Sequence, residues 1–96
     1  MEKGGYVYIM GNKKPVLYIG VTSNLLKRTY EHRNDIVEGF SRQYQTHALL
    51  YFEVHDTIED AIRREKQLKS WRRSWKLDLI KSMNPEFKDL YEALLQ

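Results

Sequence analysis

The sequence predicts an α/β (α+β) fold in which helices flank a three-stranded antiparallel sheet, in the order β-β-α-β-α-α-α. Three observations predict it. Three short segments are rich in β-branched and aromatic residues, a turn composition joins the first two, and apolar residues at helical spacing occupy most of the remainder. No repeat or flexible linker divides the 96 residues. We therefore expect a single domain over residues 1–96.

The first two strands are predicted to form a hairpin. Residues 6–10 and 16–20 have strand composition, and the intervening residues, which include Gly11 and Pro15, have turn composition. Residues 48–54 form the third strand. Their nearly continuous apolar run predicts the central position in the sheet, because a strand covered on both faces has few polar residues.

Four helices account for the remaining elements. Residues 22–24 provide N-cap chemistry, and helical spacing then continues through Leu26, Tyr30 and Val37 to about Gly39. Thr57 with Asp60 resembles a capping box at the start of the second helix. A third helix is expected to end before Pro85. The closing helix is predicted from apolar residues at positions i, i+3, i+4, i+7 and i+8: Phe87, Leu90, Tyr91, Leu94 and Leu95.

Composition excludes several classes of protein. The chain has no cysteine, which excludes disulfide partners, thiolate metal sites and cysteine nucleophiles. No apolar run is long enough to cross a membrane, and the first residues do not resemble a signal peptide, so we expect a cytoplasmic protein with no membrane partner. The oligomeric state stays open.

The formal net charge of +3 is unevenly distributed. Residues 63–76 contain one acid, Glu65, two tryptophans and seven basic residues. A basic surface with interleaved aromatic residues suits nucleic acid, and a solvated helix face is the alternative. The residues predicted to bind nucleic acid are Arg63, Lys66, Lys69, Arg72, Arg73 and Lys76.

Glu65 is the residue least expected at its position. Counted from Ile58 at about 100° per residue, it lies near 340°, between Leu68 and Ile62 on the apolar face. Burying a carboxylate costs several kcal/mol unless it is paired or binds a metal. Glu65 therefore either forms a structural ion pair, with Arg28 or Lys69, or faces a functional site.

Four further residues are candidates for that site, although each alone is more commonly structural. Tyr8 and Tyr18 lie ten positions apart across the predicted hairpin, but the loop length leaves their relative orientation open. Arg28 and His32 are spaced i, i+4 and share one helix face. Two other histidines, at positions 47 and 55, show no partner in the sequence and are interpreted as structural.

These residues match the order of motifs in a known family. Tyr18-Ile19-Gly20 is an intact YIG triplet, and Val7-Tyr8 is similar to the second half of GIY, with Tyr6 where the family has glycine. Residues 21–32 follow the family's progression to arginine and histidine, and residues 64–69 resemble its glutamate helix. The chain thus resembles the GIY-YIG endonuclease superfamily over about 90 residues, and within it the small bacterial single-domain UPF0213-like proteins.

The resemblance implies a metal-dependent endonuclease acting on nucleic acid, DNA more than RNA, in DNA repair or processing. It implies that Glu65 binds Mg²⁺ (or Mn²⁺), that Tyr8 acts as general base or positions water, and that Tyr18 orients water or phosphate. Arg28 would clamp the phosphate and His32 would hydrogen-bond a tyrosine or relay a proton. Asn84 is the candidate for an asparagine that the family carries near its metal-site helix.

Two other functions stay open. A binding module with the same fold would bind nucleic acid in a salt-dependent manner without cleaving it. A protein–protein adaptor would use the surface around Trp71 and Trp75.

Overall fold

A computed structural model of the chain describes residues 4–36, 39 and 43–96. The predicted fold class and element order are confirmed. None of the helices in these ranges is long and apolar enough to cross a membrane. The elements are β1 (Gly5–Gly11), β2 (Leu17–Thr22), α1 (Leu25–Arg33), β3 (Ala48–His55), α2 (Ile58–Lys69), α3 (Arg73–Met83) and α4 (Tyr91–Leu94).

The sheet is antiparallel with the strand order β2-β1-β3. The prediction that the third strand is central was wrong, because β1 takes that position. The apolar run of β3 has another cause. Both faces of β3 are covered, so the alternation of side chains places Leu49 in one apolar cluster and Leu50 in the other, and a register shift opposite Ile9 and Met10 places Tyr51 in the same cluster as Leu50. Consecutive residues of an edge strand are therefore both buried.

Two apolar clusters cover the two faces of the sheet. The first includes Val7 and Ile9 of β1 with residues of α2 and α3, and the second includes Tyr8 and Met10 with Leu25 of α1. The alternation of side chains along β1 divides them between the clusters. Tyr8 consequently lies on the face that also packs against α1.

Helix α1 is shorter than predicted. Asn24 is its N-cap and accepts a hydrogen bond from the backbone N–H of Lys27 at 3.1 Å, as the N-cap prediction required. The helix ends at Arg33, whereas the sequence predicted an end near Gly39. Asp35 has a φ of 56°, which is incompatible with a continuing right-handed helix. Val37, which belonged to the predicted stripe, lies outside the described residues.

Helix α2 begins as predicted, with Thr57 accepting a hydrogen bond from the backbone N–H of Asp60 at 3.1 Å. Ala61 and Leu68 are fully buried. Ile62, predicted for the same apolar face, is 38% exposed. The buried face of the helix is therefore rotated away from Ile62 and towards Leu68.

The C-terminal segment departs most from prediction. Helix α3 ends at Met83, before Pro85, as expected. The closing helix contains only four residues, because the predicted stripe does not pack on one surface. Phe87 packs against the first cluster, whereas Leu90 and Leu94 pack against the second. The segment crosses the free edge of β3 between them.

Candidate functional site

The two candidate tyrosines lie on the same face of the sheet. Tyr18 of β2 pairs with Met10, and Tyr8 pairs with Gly20, so both side chains point towards the layer that contains α1. Their ring centroids are 6.3 Å apart. Tyr8 is 1% exposed. The strand register, which the sequence left open, thus brings the two phenols together.

Gly20 makes room for the Tyr8 ring, a role that the sequence reasoning missed. A Cβ atom added at Gly20 would lie 2.4 Å from the Tyr8 hydroxyl oxygen and 2.5 Å from Cζ. Any larger residue would displace the phenol. A glycine inside a strand opposite a tyrosine is the sequence signal that could have indicated this close approach.

His32 lies against both phenols. Its Nε2 is 2.9 Å from the Tyr8 hydroxyl, and its ring centroid is 5.1 Å from that of Tyr18. The side chain is buried, with 1% exposure. Burial, followed by the positive charge of Arg28, lowers the pKa of His32 to about 4. The imidazole is therefore neutral at neutral pH.

Tyr8 is held in its protonated form. Burial raises the pKa of the Tyr8 hydroxyl above its ordinary value, and the neighbouring Tyr18 adds to this effect. The charge of Arg28 acts in the opposite direction, and those of Glu31 and Glu65 raise the pKa further. The contact between Tyr8 and His32 is consequently a hydrogen bond between two neutral groups.

Arg28 of α1 is a source of positive charge for this pair. Its charge affects the pKa of both Tyr8 and His32. The guanidinium is 40% exposed, and its Nε lies 3.3 Å from the carboxylate of Glu31. Because this ion pair is partly exposed to water, it is weak enough to be exchanged for a phosphate.

Glu65 extends from α2, which packs on the opposite face of the sheet but contacts β1 and β2. Its side chain is 12% exposed, and its carboxylate lies 2.7 Å from the Nζ of Lys69. The ion pair expected with Arg28 or Lys69 is thus formed with Lys69. The charge of Glu65 is also close enough to raise the pKa of Tyr8.

A metal ion at Glu65 would take a single protein carboxylate. Within residues 4–36, 39 and 43–96 there is no group of three histidine, aspartate or glutamate side chains that could hold a metal. Mg²⁺ commonly binds through one or two carboxylates and completes its coordination with water and substrate phosphate oxygens. A single, mostly buried carboxylate such as that of Glu65 fits that pattern.

The predicted nucleic-acid-binding residues do not form one uniform face. Arg72 stacks on the Trp75 ring, and Arg73 donates to the carbonyl oxygen of Pro15. Lys66 is exposed and Lys76 is half-buried. The remaining two predicted residues, Arg63 and Lys69, form ion pairs with Asp60 and Glu65.

Arg64, in the middle of the basic run, belongs to a second polar cluster. Its guanidinium binds the Glu53 carboxylate through Nε and Nη2. The Glu53 carboxylate also accepts a hydrogen bond from the Tyr51 hydroxyl and lies 2.9 Å from the Nε2 of His55. These four residues are termed the Glu53 cluster. The prediction that His55 has no partner was therefore wrong. It was also wrong for His47, whose Nε2 lies 2.8 Å from Asp35.

Asn84 lies at the C-cap of α3 and is 4% exposed. Its side-chain amide donates to the carbonyl oxygens of Leu50 and Lys88 and accepts from the backbone N–H of Lys88. These bonds hold the C-terminal segment against β3. Asn84 therefore has a structural role, and the metal-site role that the resemblance implied stays a prediction.

Comparison with known proteins identifies the family of this chain. The family model for the GIY-YIG catalytic domain matches residues 4–78. A UPF0213 protein of Clostridium perfringens is 39% identical over 77 residues, which cover 80% of this chain and 83% of that protein. One of Syntrophus aciditrophicus is 35% identical over 82 residues, covering 84% of this chain and 93% of that protein.

A solved structure shares the fold. The solution NMR structure of a UPF0213 protein from Bacillus halodurans has a TM-score of 0.57 and 23% identity, and covers 90% of this chain and 92% of that one. Family members are generally endonucleases that use divalent metal ions. Because the family model spans most of the sequence and relatives match along most of their length, the chain belongs to the GIY-YIG family and to its UPF0213 branch.

Proposed function

We propose that this chain is a divalent-metal-dependent endonuclease that hydrolyses phosphodiester bonds in nucleic acid, with DNA preferred to RNA. The observation that carries the proposal is the 2.9 Å contact between the Tyr8 hydroxyl and the Nε2 of the buried, neutral His32. A hydroxyl bonded to a neutral imidazole is a pair that transfers protons. The proposed catalytic residues are Tyr8, Tyr18, Arg28, His32 and Glu65.

Tyr8 and His32 form the proposed proton path. With the imidazole proton on Nδ1, Nε2 accepts the hydrogen bond from the Tyr8 hydroxyl. Because burial disfavours the Tyr8 phenolate, the tyrosine does not act as a preformed anion. Its oxygen accepts a proton from the attacking water while its own proton moves to the Nε2 of His32. Tyr18, whose ring lies 6.3 Å from that of Tyr8, orients the water.

Arg28 binds the scissile phosphate and thereby activates this path. In the free protein its positive charge lowers the pKa of His32. A phosphate bound to the guanidinium offsets that charge, so the basicity of His32 rises when the substrate arrives. The planar guanidinium also donates two hydrogen bonds to phosphate oxygens and holds the reacting group in position. Substrate binding and proton transfer are therefore linked through one residue.

Glu65 would hold the metal ion through its carboxylate. When bound, such an ion supplies Lewis-acid stabilisation of the charge that develops on the phosphate and the leaving oxygen. Lys69, which is 54% exposed, can leave the Glu65 carboxylate and bind a neighbouring backbone phosphate. Lys66 and Lys76 would contact the flanking backbone together with Arg63, Arg72 and Arg73.

Cleavage assays test the proposal. The protein is incubated with single-stranded, duplex and branched DNA, and with RNA of matched sequence, in the presence of Mg²⁺ or Mn²⁺. We expect metal-dependent cleavage of DNA that Glu65→Ala reduces by at least about 100-fold, as for loss of a main electrostatic catalyst. Glu59→Ala, which removes an exposed acid from the same helix, is the control and should retain activity. Cleavage that survives Glu65→Ala rules out the assigned metal role.

The 2.7 Å contact between Lys69 and Glu65 favours one alternative function, a nucleic-acid-binding module with little turnover. In this case Lys69 permanently neutralises the carboxylate. Binding would decrease with added salt, would not depend on Glu65 and would yield no products. The Trp71 and Trp75 adaptor has less support, because Trp71 packs against the first apolar cluster.

A further inference from the structure

Helix α2 approaches the sheet through small residues. A Cβ atom added at Gly5 would lie 2.8 Å from the Cβ of Ala61 and 3.0 Å from the Cα of Ile58. This contact sets the distance between helix and strand. The Ile58 Cδ1 also lies 3.0 Å from that position, so this contact fixes the N-terminal half of the helix. Glu65 lies beyond it, and its direction also depends on what holds the C-terminal half of the helix, where Leu68 is buried.

Arg64 provides a lateral attachment for the same helix. Its Nε lies 3.0 and 3.1 Å from the two carboxylate oxygens of Glu53, and its Nη2 lies 2.9 Å from Oε2. The guanidinium carbon is 5.2 Å from the centroid of the Trp71 ring, and Nη1 donates to Gln67 at 2.6 Å. The planar group is thus fixed to β3 on one side and to its own helix on the other.

Glu53 is itself held in place. The Tyr51 hydroxyl donates to its carboxylate, and His55 contacts the other oxygen. Although burial alone would raise the pKa of Glu53, the hydrogen bonds from Arg64, Tyr51 and His55 outweigh it and the pKa is lowered. With Glu53 16% exposed and Arg64 25% exposed, this ion pair is better shielded from water than a surface pair. Arg64 therefore has a rigid, charged partner.

Arg64 and Glu65 are consecutive residues and lie about 100° apart around α2. Any force that fixes the direction of one side chain also fixes that of the other. A rotation of about 10° would move a side-chain group 5–6 Å from the helix axis by about 1 Å. Errors of this size in a reacting group can reduce rates by roughly 100-fold.

We infer that Glu53 and Arg64 are positioning residues, which fix the rotation of α2 and so hold the Glu65 carboxylate in place for the metal ion. The inference rests on the proposed function. It gives the Glu53 cluster a role that the catalytic residues alone do not explain. It also assigns Arg64 a different task from the other basic residues of its run, because Arg64 binds a mostly buried carboxylate of the sheet through two of its nitrogens.

Two conservative variants test the inference. Arg64→Lys keeps the positive charge but loses the fork of donors, and Glu53→Gln keeps the size but loses the charge. We expect each to weaken Mn²⁺ binding, measured by electron paramagnetic resonance of the free ion, by about three- to tenfold, and to lower kcat by about 10- to 100-fold. The DNA dissociation constant should change less than twofold, because Arg64 does not contact the substrate.

The ion pair between Arg63 and Asp60 provides the control on the same helix, since its side chains are 70% and 52% exposed. Because Arg63 is one of the proposed nucleic-acid-binding residues, the matched variant is Asp60→Asn, which should leave Mn²⁺ affinity and kcat unchanged. Circular dichroism at the assay temperature establishes that each variant is folded. If Glu53→Gln is unfolded, the result for Arg64→Lys decides.

The outcomes separate this inference from the proposed function. A wild-type protein that binds no Mn²⁺ and cleaves nothing contradicts both. A wild-type protein that does both, with folded Arg64→Lys retaining its Mn²⁺ affinity and kcat, overturns the positioning role alone. Loss of Mn²⁺ affinity in Arg64→Lys but not in Asp60→Asn supports it.

Discussion

The candidate site and the Glu53 cluster are built from the same residue types, yet their charges are paired differently. Each contains tyrosine, histidine, arginine and glutamate. In the Glu53 cluster the arginine and the glutamate bind each other directly, at 2.9–3.1 Å. In the candidate site Arg28 pairs with Glu31, and Glu65 pairs with Lys69.

The difference lies in how readily each carboxylate can change partners. Both glutamates are mostly buried, with exposures of 16% for Glu53 and 12% for Glu65. The partner of Glu53 is a shielded, stacked guanidinium, whereas the partner of Glu65 is a lysine that is 54% exposed. A flexible ammonium in water is readily replaced by a metal ion. Pairing, and not composition, thus distinguishes a structural cluster from a candidate site.

The largest expected effect is on stability. Glu53→Ala leaves a shielded guanidinium without its partner and should lower the free energy of unfolding by about 3 kcal/mol. Glu65→Ala releases only an exposed lysine and should lower it by less than about 1 kcal/mol. Urea unfolding followed by circular dichroism measures both. Equal losses would contradict the difference between the two carboxylates.

The second prediction concerns pH. His32 has a pKa of about 4 in the folded protein against an ordinary value of 6.5, so unfolding takes up a proton between these values. Its stabilising contribution is complete above pH 6.5 and is lost as pH falls through 4, a change on the order of 3 kcal/mol. The lowered pKa of Glu53 makes stability depend on pH only below its ordinary value of 4.5.

His32 in the candidate site and Glu53 in the Glu53 cluster should therefore affect the stability of the protein in different pH ranges. Urea midpoints between pH 7 and pH 4.5 should decrease in the wild type, and His32→Gln should remove most of that slope. His47→Gln, at a half-buried histidine on the surface, is the control and should keep it. A wild-type midpoint that stays constant over this range would show that His32 is not buried in its neutral form.

The sequence predicted the elements of the fold better than their ends and neighbours. Strand composition and the Thr57 cap identified β1, β2, β3 and the start of α2. It did not show that β1 is central, because β3 is also covered on both faces, which buries Leu49 and Leu50 and gives an edge strand the apolar composition of a central one. Nor did it show that Phe87 and Leu90 pack on opposite faces of the sheet. Apolar spacing in the sequence does not indicate which surface each residue contacts.

For the candidate site, the sequence proposed residues but did not predict their contacts. The i, i+4 spacing placed Arg28 and His32 on one helix face, and the apolar stripe indicated that Glu65 is unusual. The 2.9 Å contact between Tyr8 and His32 depends on strand register and on the close approach of Gly20, which spacing does not reveal. The contact of His47 with Asp35 likewise depends on how the chain folds between them. Glu53, in contrast, lies two residues before His55 on the same strand, so the alternation of side chains could have indicated that pair.

The smallest expected effect concerns the partner of Glu65. Lys69→Met removes a half-exposed i, i+4 ion pair and should change the free energy of unfolding by no more than about 0.5 kcal/mol. Because the lysine no longer competes for the carboxylate, Mn²⁺ should bind about twofold more tightly, which corresponds to the roughly 0.4 kcal/mol of such a pair. Titration monitored by electron paramagnetic resonance measures this change, with Lys66→Met as the control one turn away. Unchanged or weaker Mn²⁺ binding in Lys69→Met would mean that Lys69 and the metal ion do not compete for Glu65. The only remaining difference between Glu53 and Glu65 would then be how much each contributes to the free energy of unfolding.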